Sequence, residues 1–446
     1  MSTQSRRVLL IGLGPLPSED PETMGFGQLR TQGFLDALLE QGHTVGLITI
    51  QSTNTTAPAA YGTTFHLRLQ PEKAGWLASA REAEQAFGAE RIVTAGPYNP
   101  GRVGAAIADA RPFWMDVPGD PFAEAQAKTA FGADATAADA HARASLPGLL
   151  TADAFSVISD PQRYAMLGAL GWSGRLAQLK PNQKVVHVVP IAYDFGTLTE
   201  QQGRTRAPGA PLVLALTGGF NTWFDTDTLL GALIPTLHKH PSVSVICTGG
   251  AIEGHNTDDY RHFCTRIEQE QLVDRVALHG WVPHDRLPTI LQEAHLLLCL
   301  DRPGIEPELG GRTRVLFGLH QGLEVLANAS CEQVKSLASA GHVDTFPQGD
   351  TTAFTEALES HLHRPQTPER ISRAQAYLQS TYAQHSALAP MLNWLEHPYR
   401  FPALETGTTA VALQNESDVL RAELDAIHRT PTWRTLGAIQ RRLRRE

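Results

Sequence analysis

The chain has 446 residues, 42% of them hydrophobic and 19% charged, which is ordinary for a soluble globular protein and too long for one core. A net charge of -9 argues against a general nucleic-acid binder, and no apolar stretch is long enough to span a bilayer. Four cysteines (Cys247, Cys264, Cys299 and Cys331) lack paired short spacings and read as buried thiols of a reducing compartment, not as a disulfide or zinc framework.

Arg6-Arg7 precede a short apolar strand, residues 8–13, with no cleavage-site pattern, so the expected location is cytoplasmic. A Gly/Pro loop (14–27), a helix from about 28 to 40 and a second strand (44–50) open a doubly wound sheet. The dinucleotide fingerprint is absent: Gly12 and Gly14 are present, but Pro17 takes the third glycine position, which speaks against a nicotinamide or flavin role. Further strands are expected at 65–69, 91–95, 113–117, 155–159 and 185–190, alternating with helices that include an Ala-rich one at 122–143. The loops 116–124 and 159–163 each read either as a site facing the sheet's carboxyl edge or as a turn with a helix cap.

The polar stretch 199–211 is the clearest linker. The alternation then restarts with strands at 212–217, 243–248, 275–279, 295–300 and 324–327, the last completing a second sheet. Leu229, Leu230, Leu233, Ile234 and Leu237 share one helical face. Asp225-Thr-Asp227 falls at a helix start, where acids cap N–H groups, so it reads as a cap and not as a metal pair. His238 and His240 flank a helix end and are expected to be solvated, and no cluster has metal-ligand spacing.

Residues 301–328 concentrate the chemistry. The acids Glu306 and Glu308, the hinge Gly310-Gly311, and Arg312 and Arg314 stand where a helix begins beyond a buried strand. Helix N-termini favour anions and arginine grips phosphate oxygens, while the carboxylates suit ribose or sugar hydroxyls. A nucleotide-sugar needs that combination. After three helical segments (351–394) and a linker, residues 416–445 form an amphipathic tail with six arginines after residue 428 and Trp433 among them. It suits either an anionic membrane surface or packing on protein.

On these residues the chain resembles the two-domain GT-B glycosyltransferases of bacterial family four. Met24 to Arg30 is similar to that family's glycine-rich acceptor-side loop, residues 116–124 to its aspartate-rich cleft loop, and Ser159 to Arg163 to a further recurrent segment. In the second half, Gly218-Gly219 with Asn221 to Asp225 resembles the donor-phosphate loop, and Trp281 and the Arg312-Thr-Arg314 helix resemble the parts around nucleotide and sugar. The departures are Phe317, where relatives carry an acid for the ribose, Glu324 in place of a proline, and Asn221-Thr222 in place of a basic pair. Glu324 reads either as a compensating carboxylate or as a solvated turn acid.

The resemblance implies two Rossmann-like α/β domains facing a cleft. Residues 1–200 are the acceptor-side domain, 201–211 a linker, 212–365 the nucleotide-sugar domain, 366–397 returning helices, and 398–446 a linker and Arg-rich tail. It further implies a transferase acting with retention and without metal or cofactor on a glycan or glycolipid of the cell envelope, peripheral on the inner membrane face. The donor contacts would be Gly218, Gly219, Asn221, Thr222, Trp281, Gly311, Arg312 and Arg314. Glu306, Glu308 and Asp120 are the catalytic candidates, with Gly25, Gly27 and Arg30 on the acceptor side. A catalytically silent subunit that activates a partner transferase is the other reading, favoured by Phe317 and Glu324.

Overall fold

A computed structural model describes residues 5–17, 19, 25–51, 62–96, 98–132, 136–191, 205–283, 286–401, 423, 426 and 430. The amphipathic pattern of 416–445, Met24 and the first part of the 199–211 linker lie outside the described residues, the three isolated positions apart.

The first sheet contains β1 (Arg7–Leu13), β2 (Thr44–Ile50), β3 (Phe65–Leu69), β4 (Arg91–Thr94), β5 (Phe113–Asp116), β6 (Ala154–Val157) and β7 (Val186–Val188), in the order β3-β2-β1-β4-β5-β6-β7. Between them run α1 (Phe26–Glu40), α2 (Trp76–Phe87), α3 (Asn99–Ile107), α4 (Pro121–Ala130), α5 (Ala137–Thr151) and α6 (Asp160–Trp172). Among the described residues these strands pair in parallel, with Val8 opposite both Val45 and Arg91. Val8, Leu9, Leu10 and Ile11 are all fully buried, because helices cover both faces of the sheet and leave no polar side.

The second sheet has the order β10-β9-β8-β11-β12-β13. Its strands are β8 (Leu212–Leu216), β9 (Val243–Thr248), β10 (Val276–Gly280), β11 (Leu296–Cys299), β12 (Glu324–Asn328) and β13 (Asp344–Phe346). Its helices are α7 (Thr226–Lys239), α8 (Thr257–Gln269), α9 (Leu287–Ile290), α10 (Ile305–Leu309), α11 (Thr313–His320), α12 (Glu332–Ser339), α13 (Thr351–His363) and α14 (Pro368–Thr381). The predicted stripe of α7 is buried throughout, and Cys247, Cys299 and Cys331 are buried free thiols. The fold is thus two doubly wound Rossmann-like domains.

Two expectations change. The Ala-rich helix is two helices, α4 and α5, parted at Gly132, whose φ of 93° no other residue type adopts cheaply. The strand at Glu324 does not close the sheet, since β13 follows on its far side. The returning helices divide between the domains. Ala374 and Leu378 of α14 pack in the second domain's core. By contrast α15 (Gln384–Glu396) places Leu388, Met391 and Leu395 among Val8, Leu10 and Phe34 of the first, with Trp394 5.6 Å from Trp114.

Glu324 is not a solvated turn acid. It is 6% exposed and opens β12 opposite Leu296, the first residue of β11, so it lies at the amino edge of the sheet, the end away from the expected ligand. His361 lies 3.1 Å and Arg364 3.0 Å from its carboxylate, and both also reach Asp344. This ion cluster ties α13 and the start of α14 to the sheet, so Glu324 cannot compensate at the ribose. Burial acts to raise the Glu324 carboxyl, but His361, Arg364 and Arg370 hold it below its ordinary value of 4.5. Glu324→Ala should therefore cost about 3–5 kcal/mol at pH 7, the penalty of breaking a buried pair. Because the folded-state pKa is the lower one, that stabilisation is present above pH 4.5 and drains as the pH falls further. Urea denaturation of parent and variant at pH 7 and pH 4 should show the difference narrowing in acid.

Candidate active site

In the second domain the turns after β8 and β9 touch. Gly218 and Gly249 have φ of 81° and 93°, and a Cβ at Gly249 would overlap the Gly218 carbonyl. Phe220 N donates to Gly250 O at 2.9 Å and Gly249 N to Gly280 O at 2.6 Å, which gathers the carboxyl ends of β8, β9 and β10. Trp281 lies against these turns, its ring 3.1 Å from where a Gly219 Cβ would stand. Its Nε1–H donates to Ala251 O at 3.1 Å, yet the residue is 57% exposed, an aromatic face fixed at one edge and open to solvent.

Arg314 arrives from the first turn of α11. Its Nη2 donates to Gly219 O at 3.0 Å and its guanidinium stands 5.7 Å over the Phe224 ring. A single carbonyl contact leaves most of its five donors unspent on protein. Next to it, Thr222 N and the Thr222 hydroxyl both lie 3.2 Å from His255 Nδ1, so that nitrogen accepts and the ring proton sits on Nε2. Burial, then the Lys128 charge, lowers the His255 pKa to about 4, so the ring is neutral. The Asn221 Oδ1 is buried without a partner. Asp225 accepts from Thr228 N at 3.1 Å and so caps α7, as expected.

Arg312 behaves differently from Arg314. Its Nε donates to Asp301 at 2.6 Å and its Nη2 to Glu306 at 2.9 Å, and it is 5% exposed. This guanidinium is an internal cation neutralised by two acids, which corrects its expected place on a phosphate. Arg312 N also donates to Gln333 Oε1 at 2.6 Å, so the opening N–H of α11 beside Gly311 is already used. Burial pushes Glu306 up to about 7 against the pull of Arg312, which leaves the acid partly protonated near neutrality. Glu308 is exposed and lines a crevice of about 730 Å³ with Pro161, Glu332 and Lys335, apart from the glycine turns. Phe317 is 5% exposed within the apolar core of α11, β11 and β12, and offers no ribose contact.

In the first domain the acceptor-side candidates prove to be scaffold. Arg30 grips Asp116 through Nε at 2.9 Å and Nη2 at 2.7 Å and donates to Val189 O and Pro190 O, leaving it 4% exposed. Gly25 is the N-cap residue of α1, and a Cβ at Gly27 would come within 2.5 Å of Leu13, so Gly27 lets α1 sit close on β1. Asp120 caps α4 by accepting from Phe122 N at 3.0 Å and Ala123 N at 2.8 Å. Both bonds go to Oδ1, so the cap uses one of the two carboxylate oxygens.

Glu124, one turn later, was not singled out from the sequence. It accepts from Tyr98 Oη at 2.7 Å, and burial raises its pKa. Its charge is felt at Glu306, across the domain boundary. Tyr98 sits at φ 65° and stacks on His141 at 4.4 Å. The domains meet where Ser159 Oγ donates to Leu309 O and Asp160 N to Glu332, each at 2.7 Å. Among the described residues no three His, Cys, Asp or Glu side chains are grouped to hold a metal ion.

By sequence, no family model and no curated protein matches the chain. By structure it is similar to sucrose-phosphate synthase from Thermosynechococcus elongatus at 16% identity and a TM-score of 0.60, covering 87% of this chain and 98% of that one. It is likewise similar to Anabaena HepE in complex with UDP and glucose, at 14% identity and a TM-score of 0.57 over 87% of this chain and 99% of that one. The lipopolysaccharide outer core galactosyltransferase WaaB gives 11% identity and a TM-score of 0.56 with the same coverage. Likeness at this identity speaks for architecture, and the architecture is the GT-B fold.

Proposed function

We propose that this chain is a glycosyltransferase that moves a sugar from a nucleotide-sugar to a glycan or glycolipid of the cell envelope, with retention and without a metal. The observation that carries the reading is Arg314, poised with spare donors on the Gly218-Gly219 turn beside exposed Trp281, at the carboxyl edge of a doubly wound sheet. Departure of a nucleoside diphosphate builds negative charge, and a fixed guanidinium with backbone N–H groups stabilises it. Glu306, partly protonated beside Arg312, serves the sugar hydroxyls as donor or acceptor. The solved complex of HepE with UDP-glucose makes uridine diphosphate the first ligand to try.

The two arginines separate by experiment. Arg314→Ala should weaken nucleoside diphosphate binding by about 1.5–3 kcal/mol, the worth of a charge-assisted hydrogen bond, with little change in melting temperature. Arg312→Ala should instead destabilise the fold by about 3–5 kcal/mol, because Asp301 and Glu306 are left buried and unpaired. Calorimetry and urea denaturation on both variants decide it; Arg314→Ala binding like the parent would move the phosphate site elsewhere. If the folded parent binds none of the uridine, guanosine, adenosine, cytidine and thymidine diphosphates, the silent-subunit reading stands. Phe317, buried where a ribose acid is expected, is the observation that favours that reading.

Peripheral membrane association belongs to the same proposal. No helix of the described residues is long and apolar enough to cross a membrane, whereas six arginines follow residue 428. Near an anionic surface each contributes about 1 kcal/mol. A chain ending at Thr406 should float with anionic vesicles less than the full chain does, and the difference should vanish at high salt.

A further inference from the structure

The phosphate loop itself is poor in charge: from Gly218 to Asp225 it reads GGFNTWFD, with no Lys or Arg. Other cations close by are spent. Arg312 is held by Asp301 and Glu306, and Arg302 makes two 2.7 Å bonds to Asp259. Arg314 alone faces a ligand that carries more negative charge than one guanidinium balances.

A second cation comes from the opposite domain. Glu124, Lys128 and Phe131 are spaced four and three residues apart, one face of α4 and its C-cap. That face lies along the second domain. The Phe131 ring sits 4.7 Å under the Arg302 guanidinium, and Arg302 in turn donates to Thr222 O at 3.1 Å and, through its backbone N–H, to Trp223 O at 2.7 Å. The end of α4 is therefore moored one residue beyond Asn221. Lys128 stands about one helical turn, roughly 5 Å, back along the same face. After burial, the Lys128 charge lowers the pKa of His255, whose Nδ1 accepts from Thr222 N.

Lys128 is half-buried and makes no side-chain hydrogen bond or ion pair among the described residues. Its obvious partner, Glu124 at i−4, is turned to the Tyr98 hydroxyl instead. A solvated lysine on a helix is the ordinary outcome. This one stands on the face of α4 that Phe131 moors on Arg302, and Arg302 in turn holds the Thr222 carbonyl.

We propose that Lys128 is a ligand of the donor's phosphates, supplied across the cleft to complete the loop of the second domain. The inference rests on the transferase reading above and adds a coupling to it. A diphosphate held by Arg314 from one domain and Lys128 from the other binds fully only when α4 is docked. Donor binding and cleft closure then favour each other by the same factor.

The test uses the full chain and whichever of the five nucleoside diphosphates the parent binds most tightly. Lys128→Met should weaken that nucleotide about 10- to 100-fold, while Lys128→Arg should stay within about threefold of the parent. Binding of the corresponding nucleoside, which has no phosphate, should be the same in all three. Small-angle scattering should show the nucleotide compacting the parent more than Lys128→Met at equal saturation. Lys128→Met binding the diphosphate as tightly as the parent would overturn the inference and leave the Arg314 site standing. A parent that binds no nucleotide would instead remove the transferase reading on which the inference is built.

Discussion

A buried guanidinium locked on carboxylate is the constraint from which the cleft is built: Arg312 on two acids in the second domain and Arg30 on one in the first. In the second domain Arg312 bonds Asp301, just beyond β11, and Glu306 on α10. Ser330 donates to the same Asp301 carboxylate at 2.8 Å, and Asn328 exchanges hydrogen bonds with the Asp301 backbone. In the first domain Arg30 bonds Asp116, the last residue of β5, which also accepts from Ser156 Oγ and Gly96 N. Desolvating such ions is costly and is repaid only when every lone pair and proton finds a partner. Each cluster therefore fixes several loops at once, all at the carboxyl edge of a sheet where ligands bind.

Most of the fold was legible because parallel strands covered on both faces are predominantly apolar runs, and residues 8–13, 44–50, 243–248 and 295–300 are such runs. Asp344–Phe346 was not legible, being three residues long with one apolar side chain. The site was legible as a place rather than as a list of residues. Arg312 and Arg314 looked equivalent in the sequence. Residues i and i+2 at a helix start point about 200° apart, so one faces the interior and the other the glycine turn. Which one faces inward depends on Asp301 and Glu306, a tertiary fact. Asp120 shows a related ambiguity: a cap and a catalytic acid use the same residue type after a strand, and here Oδ1 accepts from the α4 N–H groups.

The departures from the family pattern also acquire physical meaning. Phe317 and Glu324 looked like two halves of one eroded ribose contact. Phe317 fills the core beneath α11, and Glu324 holds an ion cluster at the opposite edge of the sheet, so the two are unrelated. On the transferase reading, a ribose contact would come from elsewhere on the cleft wall, where Trp281 presents an exposed aromatic face.

The charged groups of the cleft sort by sign along it. Arg314 and Lys128 belong with the Gly218–Thr222 loop, through the Gly219 carbonyl and through the mooring of α4 at Arg302. The carboxyls of Glu306 and Glu124 belong to the other end, one from each domain, both raised by burial. Two acids with raised pKa values repel less across the domain boundary than two carboxylates would. A ligand suited to this arrangement is anionic at one end and rich in hydroxyls at the other, and its two ends must be separated by the stretch between Gly219 and α10. A free phosphate would satisfy only the first end and a free sugar only the second. Joined as a sugar diphosphate they engage both, and the second contact becomes intramolecular once the first is made.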